Sequence, residues 1–299
     1  MDTTLESVFC LFLGRRRTKR QKTNFLKKCV EQFNATGYSF EFSKVKTAVS
    51  ENINLYFGNV NKAKIIVCAY YDTPDKKIFS KDGYYPFDGE RNNRNKVKEK
   101  IGINLIFYII ALPLLFALFI DEFILYNYPL PIKILIVFFV ILVGIKINFG
   151  FYNTLNFNCN TSSIITMIQY ANKNKFKKDV AYAFIDGGTT DYLGAKLLAK
   201  DMGNNDALVI FLDCIGCGKD IVIGVSKCYE DTYKNLGKVI VQSKFTNHYF
   251  FKKYVVITVS NKQTDIKSTV VINAGTKKDI ILDYDMMSKV ENCLDVFTI

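Results

Sequence analysis

Among side chains that could do chemistry, histidine is the scarcest. The 299 residues hold a single one, His248, so a site that needs two imidazole ligands cannot be built from this chain. The eight cysteines are scattered, and only Cys214 and Cys217 stand at C-x-x-C spacing. One such pair with no second pair does not complete a zinc site. It reads more simply as two small apolar residues at a strand end. Free thiols in a chain too long to need disulfide staples fit a reducing compartment. Gly216-Cys217-Gly218-Lys219 lacks the full spacing of a phosphate loop and runs into a strand rather than a helix. No Gly-x-Ser-x-Gly nucleophile elbow occurs. The net charge is +12, and Arg15-Arg16-Arg17-Thr18-Lys19-Arg20 with Lys22, Lys27 and Lys28 forms a block without acids. Such a block suits an anionic surface, either nucleic acid or membrane.

The elements around these residues favour the membrane. Ile101 to Ile120 is a run of twenty uncharged residues, long enough to cross ~30 Å of hydrocarbon at ~1.5 Å per residue. Pro113 within it is tolerated in a spanning helix. Pro131 to Phe149 is a second such run, with Lys133 and Lys146 near its ends. Arg91, Arg94, Lys96, Lys98 and Lys100 precede the first span and Lys146 closes the second, while Asp121 and Glu122 lie in the connector. The positive-inside rule then places both termini and the soluble parts in the cytoplasm, with a two-span protein in the cell membrane.

Strand and helix patterns alternate on both sides of the spans. Strands are expected at 54–58, 64–71, 179–185, 207–212, 221–225 and 254–259. Helices are expected at 161–171, 192–202, 230–242 and 284–296. The expected class is α/β, a mixed central sheet flanked by helices, with two inserted transmembrane helices. The expected division is a basic segment and first part of the domain over 1–98, the membrane hairpin over 99–149, and the remainder over 150–299.

Six segments, in order, resemble the co-catalytic zinc aminopeptidases and their glutaminyl cyclase relatives. They are IIVCAYYDT at 65–73, CNTSS at 159–163, DGGTTDYLGA at 186–195, FLDCIG at 211–216, TNHYFF at 246–251 and GTKKD at 275–279. The resemblance implies two zinc ions held by two histidines and three carboxylates, with a glutamate as general base. In this sequence Tyr70, Cys159, Thr189 and Gly275 stand at ligand positions and Gly188 stands at the base, so of the five ligands only Asp213 is kept. Asp72 matches the residue that orients the first histidine. The resemblance therefore implies a catalytically inactive, membrane-anchored relative that needs no cofactor. Its residual pocket would comprise Asp72, Ser162, Asp213 and His248, and it would bind or scaffold a peptide or protein at the cytoplasmic face. The expected partners are the lipid bilayer and a protein or peptide, another membrane protein being one candidate, and nucleic acid is not expected. The alternative is an active metallopeptidase or glutaminyl cyclase with a rebuilt zinc site, for which Cys159, Asp213, Cys214 and Cys217 are the candidate ligands.

Overall fold

An apolar run such as Ile65–Tyr70 is satisfied only in a sheet covered on both faces. The computed structural model describes residues 3–47, 51–77, 83–118, 120, 127–150, 153, 156–188, 192–225, 238–241, 250–261, 269–272, 274–276 and 278–298. In it Ile65–Tyr70 forms strand β3. Val67 and Ala69 face one core cluster, and Ile66 and Cys68 face the other.

Seven further strands are described: β1 (Phe40–Lys46), β2 (Glu51–Phe57), β4 (Val180–Ile185), β5 (Leu208–Leu212), β6 (Asp220–Val225), β7 (Lys238–Val241) and β8 (Tyr254–Ser260). They join β3 in one sheet of order β1-β2-β4-β3-β5-β8-β6-β7. The centre, β4-β3-β5-β8, is parallel, whereas β1-β2, β2-β4 and β6-β8 pair antiparallel. The class is thus α/β with a mixed sheet, as expected. One edge strand, β1, goes beyond the sequence reading. A second difference is β7, because residues 238–241 pair parallel with β6 although a helix is expected over 230–242. The β-branched Val239-Ile240-Val241 favours a pleated surface over a helical turn. Residues 230–237 of that expected helix lie outside the described residues.

Helices cover both faces. The chain opens with α1 (Thr3–Glu6) and a π-helical stretch at Ser7–Phe12. Next comes α2 (Lys19–Phe33), started by a capping box in which Thr18 and Gln21 exchange side-chain to backbone bonds at 3.3 and 3.1 Å. Phe25 and Phe33 of α2 pack over Phe184, Tyr71 and Phe57 together with α5 (Ser162–Asn174) and α7 (Tyr284–Thr298). The opposite face is covered by α6 (Leu193–Met202) through Ala195, Leu198 and Met202.

Between β3 and β4 in sequence lie α3 (Gly89–Ala117) and α4 (Leu130–Phe149). Their 18-residue apolar windows reach mean hydropathies of 2.0 and 2.6, so both are long and apolar enough to cross a membrane. Only 6% and 11% of those windows are buried. Leu105, Ile109, Phe116, Leu135 and Phe139 therefore stand exposed, at a cost in water of ~25 cal/mol per Å² of apolar surface. The first three turns of α3 are polar and are fixed to the domain. Asp88 caps the Arg91 amide at 2.9 Å, Asn92 bonds both backbone groups of Tyr85, and the Arg91 guanidinium lies 3.8 Å over the Tyr85 ring.

Candidate functional site

Open parallel sheets gather ligand-binding residues beyond the carboxyl ends of their strands. Here β3 ends at Tyr70 and leads to Asp72, β4 leads to Asp186, Gly187 and Gly188, and β5 leads to Asp213 and Cys214. A cavity of about 330 Å³ opens at these ends. Its sheet-side wall includes Tyr70, Cys159, Gly188, Asp213 and Gly275 together with Tyr84 and Tyr192. The opposite wall is the polar foot of α3, from Asn92 to Ile103, with Ile147 and Asn148 of α4.

Five positions singled out in the sequence thus meet on one surface, although 205 residues separate the first from the last. Asp72 and Ser162 are buried beside that surface without lining it. Asp72 accepts the Gly188 amide at 3.0 Å, and Ser162 donates to the Asn158 carbonyl at 2.7 Å. Thr189 and His248 lie outside the described residues, as does Cys228.

The wall is shaped by a tyrosine and a glycine that require each other. The Tyr70 ring stacks on Phe211 at 6.0 Å between centroids and meets Tyr192 edge-on at 6.1 Å. A β-carbon placed on Gly188 would clash with Cβ, Cγ and Cδ1 of Tyr70. No acidic side chain can occupy position 188 while Tyr70 keeps this place. Burial holds the Tyr70 phenol well above its ordinary pKa, so it stays protonated.

Asp213 is the carboxylate of the sheet-side wall. The Tyr84 hydroxyl donates to its Oδ2 at 2.8 Å. Burial raises its pKa to about 6, opposed by the bonds from Tyr84 and Cys214. Cys214 takes a left-handed φ of +56°, is fully buried, and donates its thiol to the Cys159 carbonyl at 3.1 Å. Cys217 is partly exposed and does not line the cavity. Among the described residues, no three of His, Cys, Asp or Glu stand close enough to share a metal ion. The donors present do not fit a two-zinc site: Gly188 and Gly275 offer no side chain, and the Tyr70 phenol keeps its proton.

Three charged side chains near the site were given no structural role in the sequence reading. Asp279 is buried and ties two wall segments together, accepting the Asn158 amide at 2.6 Å and the Gly275 amide at 3.0 Å. Burial raises its pKa to about 6 against those bonds. Arg16 is fully buried rather than solvated. Its Nη2 donates to Thr161 at 2.7 Å, its amide donates to Thr73 at 2.7 Å, and its guanidinium lies 4.8 Å over Phe25. Burial lowers its pKa to about 10, where it remains charged. Lys22 grips both carboxylate oxygens of the buried Asp186 at 2.7 Å. Two cations of the basic block therefore point into the domain beneath the site, which corrects the reading of that block as purely a surface feature.

The arrangement can be compared with known proteins. No protein-family model and no curated protein matches this sequence. Solved structures do match. The glutaminyl cyclase of Porphyromonas gingivalis superposes with a TM-score of 0.53 at 8% identity, over 96% of this chain and 92% of that one. The fold is that of the glutaminyl cyclases and zinc aminopeptidases. The LapA aminopeptidase of Legionella pneumophila matches with a TM-score of 0.52 at 12% identity, over 99% of this chain and 68% of that one. At these identities the likeness establishes the glutaminyl cyclase-like architecture and nothing about activity.

Proposed function

We propose that this chain is a membrane-anchored, metal-free protein of the glutaminyl cyclase-like fold that binds a peptide or protein segment in its cavity without cleaving it. The observation that carries this reading is the Tyr70–Gly188 pair. It fills the place where the resemblance calls for a histidine ligand and a general base, and of the five ligand positions it leaves only Asp213 with a carboxylate on the cavity wall. Without a metal-activated water and a base there is no route to hydrolysis. What remains is a pocket of ligand-binding size whose lining includes the carboxylates of Asp75, Glu99 and Asp213, the phenols of Tyr70, Tyr84 and Tyr192, and several cations. Asp213, bonded by Tyr84, suits a peptide's terminal ammonium.

Two features support the anchoring. The apolar faces of α3 and α4 are bare, and Arg91, Arg94, Lys96, Lys98, Lys100 and Lys146 all lie at the domain end of the pair. That charge bias favours a cytoplasmic domain. The test is turnover. The full chain in detergent, supplied with zinc, is offered aminoacyl anilides and peptides with N-terminal glutamine. The expected result is no release that a chelator abolishes, whereas chelator-sensitive turnover of either substrate would overturn the reading.

A further inference from the structure

The cavity adjoins a second hollow in the hairpin. Ile103 and Ile147 line both the cavity and a second hollow of about 320 Å³ between α3 and α4. The α3 side of this hollow is one helical face, with Ile103, Phe107, Ile110 and Leu114 at three- and four-residue spacing. Its α4 side includes Phe139 and Val143. Every lining residue is apolar. Where the groove meets the cavity the character changes abruptly. Lys96 and Lys100 project from the last polar turns of α3, and Lys76, Lys77 and Arg17 line the same cavity, against the carboxylates of Asp75, Glu99 and Asp213. The Asn95 amide nitrogen is buried in this wall and has no hydrogen-bond partner among the described residues.

We propose that the groove and the cationic end of the cavity together form a seat for one anionic glycerophospholipid of the surrounding bilayer. An acyl chain would lie in the groove between α3 and α4, and the phosphate would lie against Lys96, Lys100 and the Asn95 amide. A free anion would use the cations but leave the groove without a ligand, and a neutral lipid would use the groove but not the cations. The chemistry of both ends is met by a lipid with a phosphate bearing net negative charge. The inference rests on the anchoring part of the proposed function and adds an occupant at the hairpin-side wall, which leaves the sheet-side wall for the peptide.

The chain contains no tryptophan, so one placed in the groove is a clean reporter. Ile110→Trp stands in the groove. Leu112→Trp lies on the same helix outside the groove, and the two native side chains are similarly exposed. Both proteins are reconstituted in phosphatidylcholine vesicles containing a minor fraction of phosphatidylglycerol, and only the latter carries brominated acyl chains as a quencher. The expected result is stronger quenching at position 110 than at 112. Lys96→Gln with Lys100→Gln should remove that excess, weakening the preference about fivefold or more. Arg94→Gln with Lys98→Gln removes the same charge from the same helix outside the cavity and should preserve it.

Equal quenching at the two positions would overturn the proposal, as would equal loss in the two charge-removal variants, which would indicate surface potential alone. Displacement of the brominated lipid by excess inorganic phosphate would also overturn it, in favour of a free-anion site. Flotation of the vesicles is read first. A chain that does not float with them defeats the anchoring and this inference together, whereas a chain that floats without a lipid preference defeats only the inference.

Discussion

At the scale of single residues, the site is organised around buried charge. Lys22 and Asp186 form an ion pair whose carboxylate is fully buried. Removing one partner of such a pair leaves an uncompensated charge and costs about 3–5 kcal/mol. Lys22→Met should therefore lower stability by that order in urea unfolding, and adding Asp186→Asn should restore part of the loss. Asp213 behaves in the opposite sense. Burial raises its folded pKa to about 6, above the ~3.9 of an unfolded aspartate. The folded state then binds more protons between these values, so this group's contribution to stability falls as pH rises from about 4 to about 6. Asp213→Asn keeps an acceptor for Tyr84 and removes that penalty. It should raise stability at neutral pH by about 1–3 kcal/mol and flatten the pH dependence in that window, with Asp279 supplying the slope that remains. Lower stability of the variant at neutral pH would contradict this account. Which basic residue goes inside was not legible in the sequence. Arg15, Arg16 and Arg17 look alike in a row, and only the tertiary partners Thr161, Thr73 and Phe25 distinguish Arg16.

At the scale of elements, removal of the hairpin of α3 and α4 should leave the sheet intact. β3 and β4 pair residue for residue from Ile65 with Val180 to Tyr70 with Ile185, although both long helices lie between them in sequence. The two helices return to one place, since Ile103 and Ile147 share both hollows. Replacing residues 101–147 by a short Gly/Ser linker should give a protein with an undiminished strand signal in circular dichroism that no longer sediments with membranes. An unfolded product would show that the hairpin is structural. The two long apolar helices and the buried central strands were legible because they are continuous apolar runs, which need no partner to be recognised. β1 was not. Most of its side chains are exposed and it carries Glu41, Lys44 and Lys46, as edge strands do, so the apolar alternation that marks a half-buried strand is weak. β7 was misread because a helical pattern upstream was extended across Val239-Ile240-Val241. The left-handed turn at Cys214 buries one thiol in the core, while Cys217 stays at the surface.

At the scale of the whole molecule, the carboxyl ends of the central strands face the foot of the hairpin, so the cavity lies where the domain meets α3 and α4. Five positions scattered from Tyr70 to Gly275 converge there, as the motif order implied. Sequence alone could not supply the wall contributed by α3, because packing sets that juxtaposition. Nor could it show that Tyr70 and Gly188 fit together as a pair. Both lead to the central claim that the pocket binds without a metal. The most direct test is the zinc content of the purified full chain, measured by elemental analysis after mild zinc exposure and desalting. The account predicts less than about a tenth of an equivalent, and about one or two tightly held equivalents would contradict it.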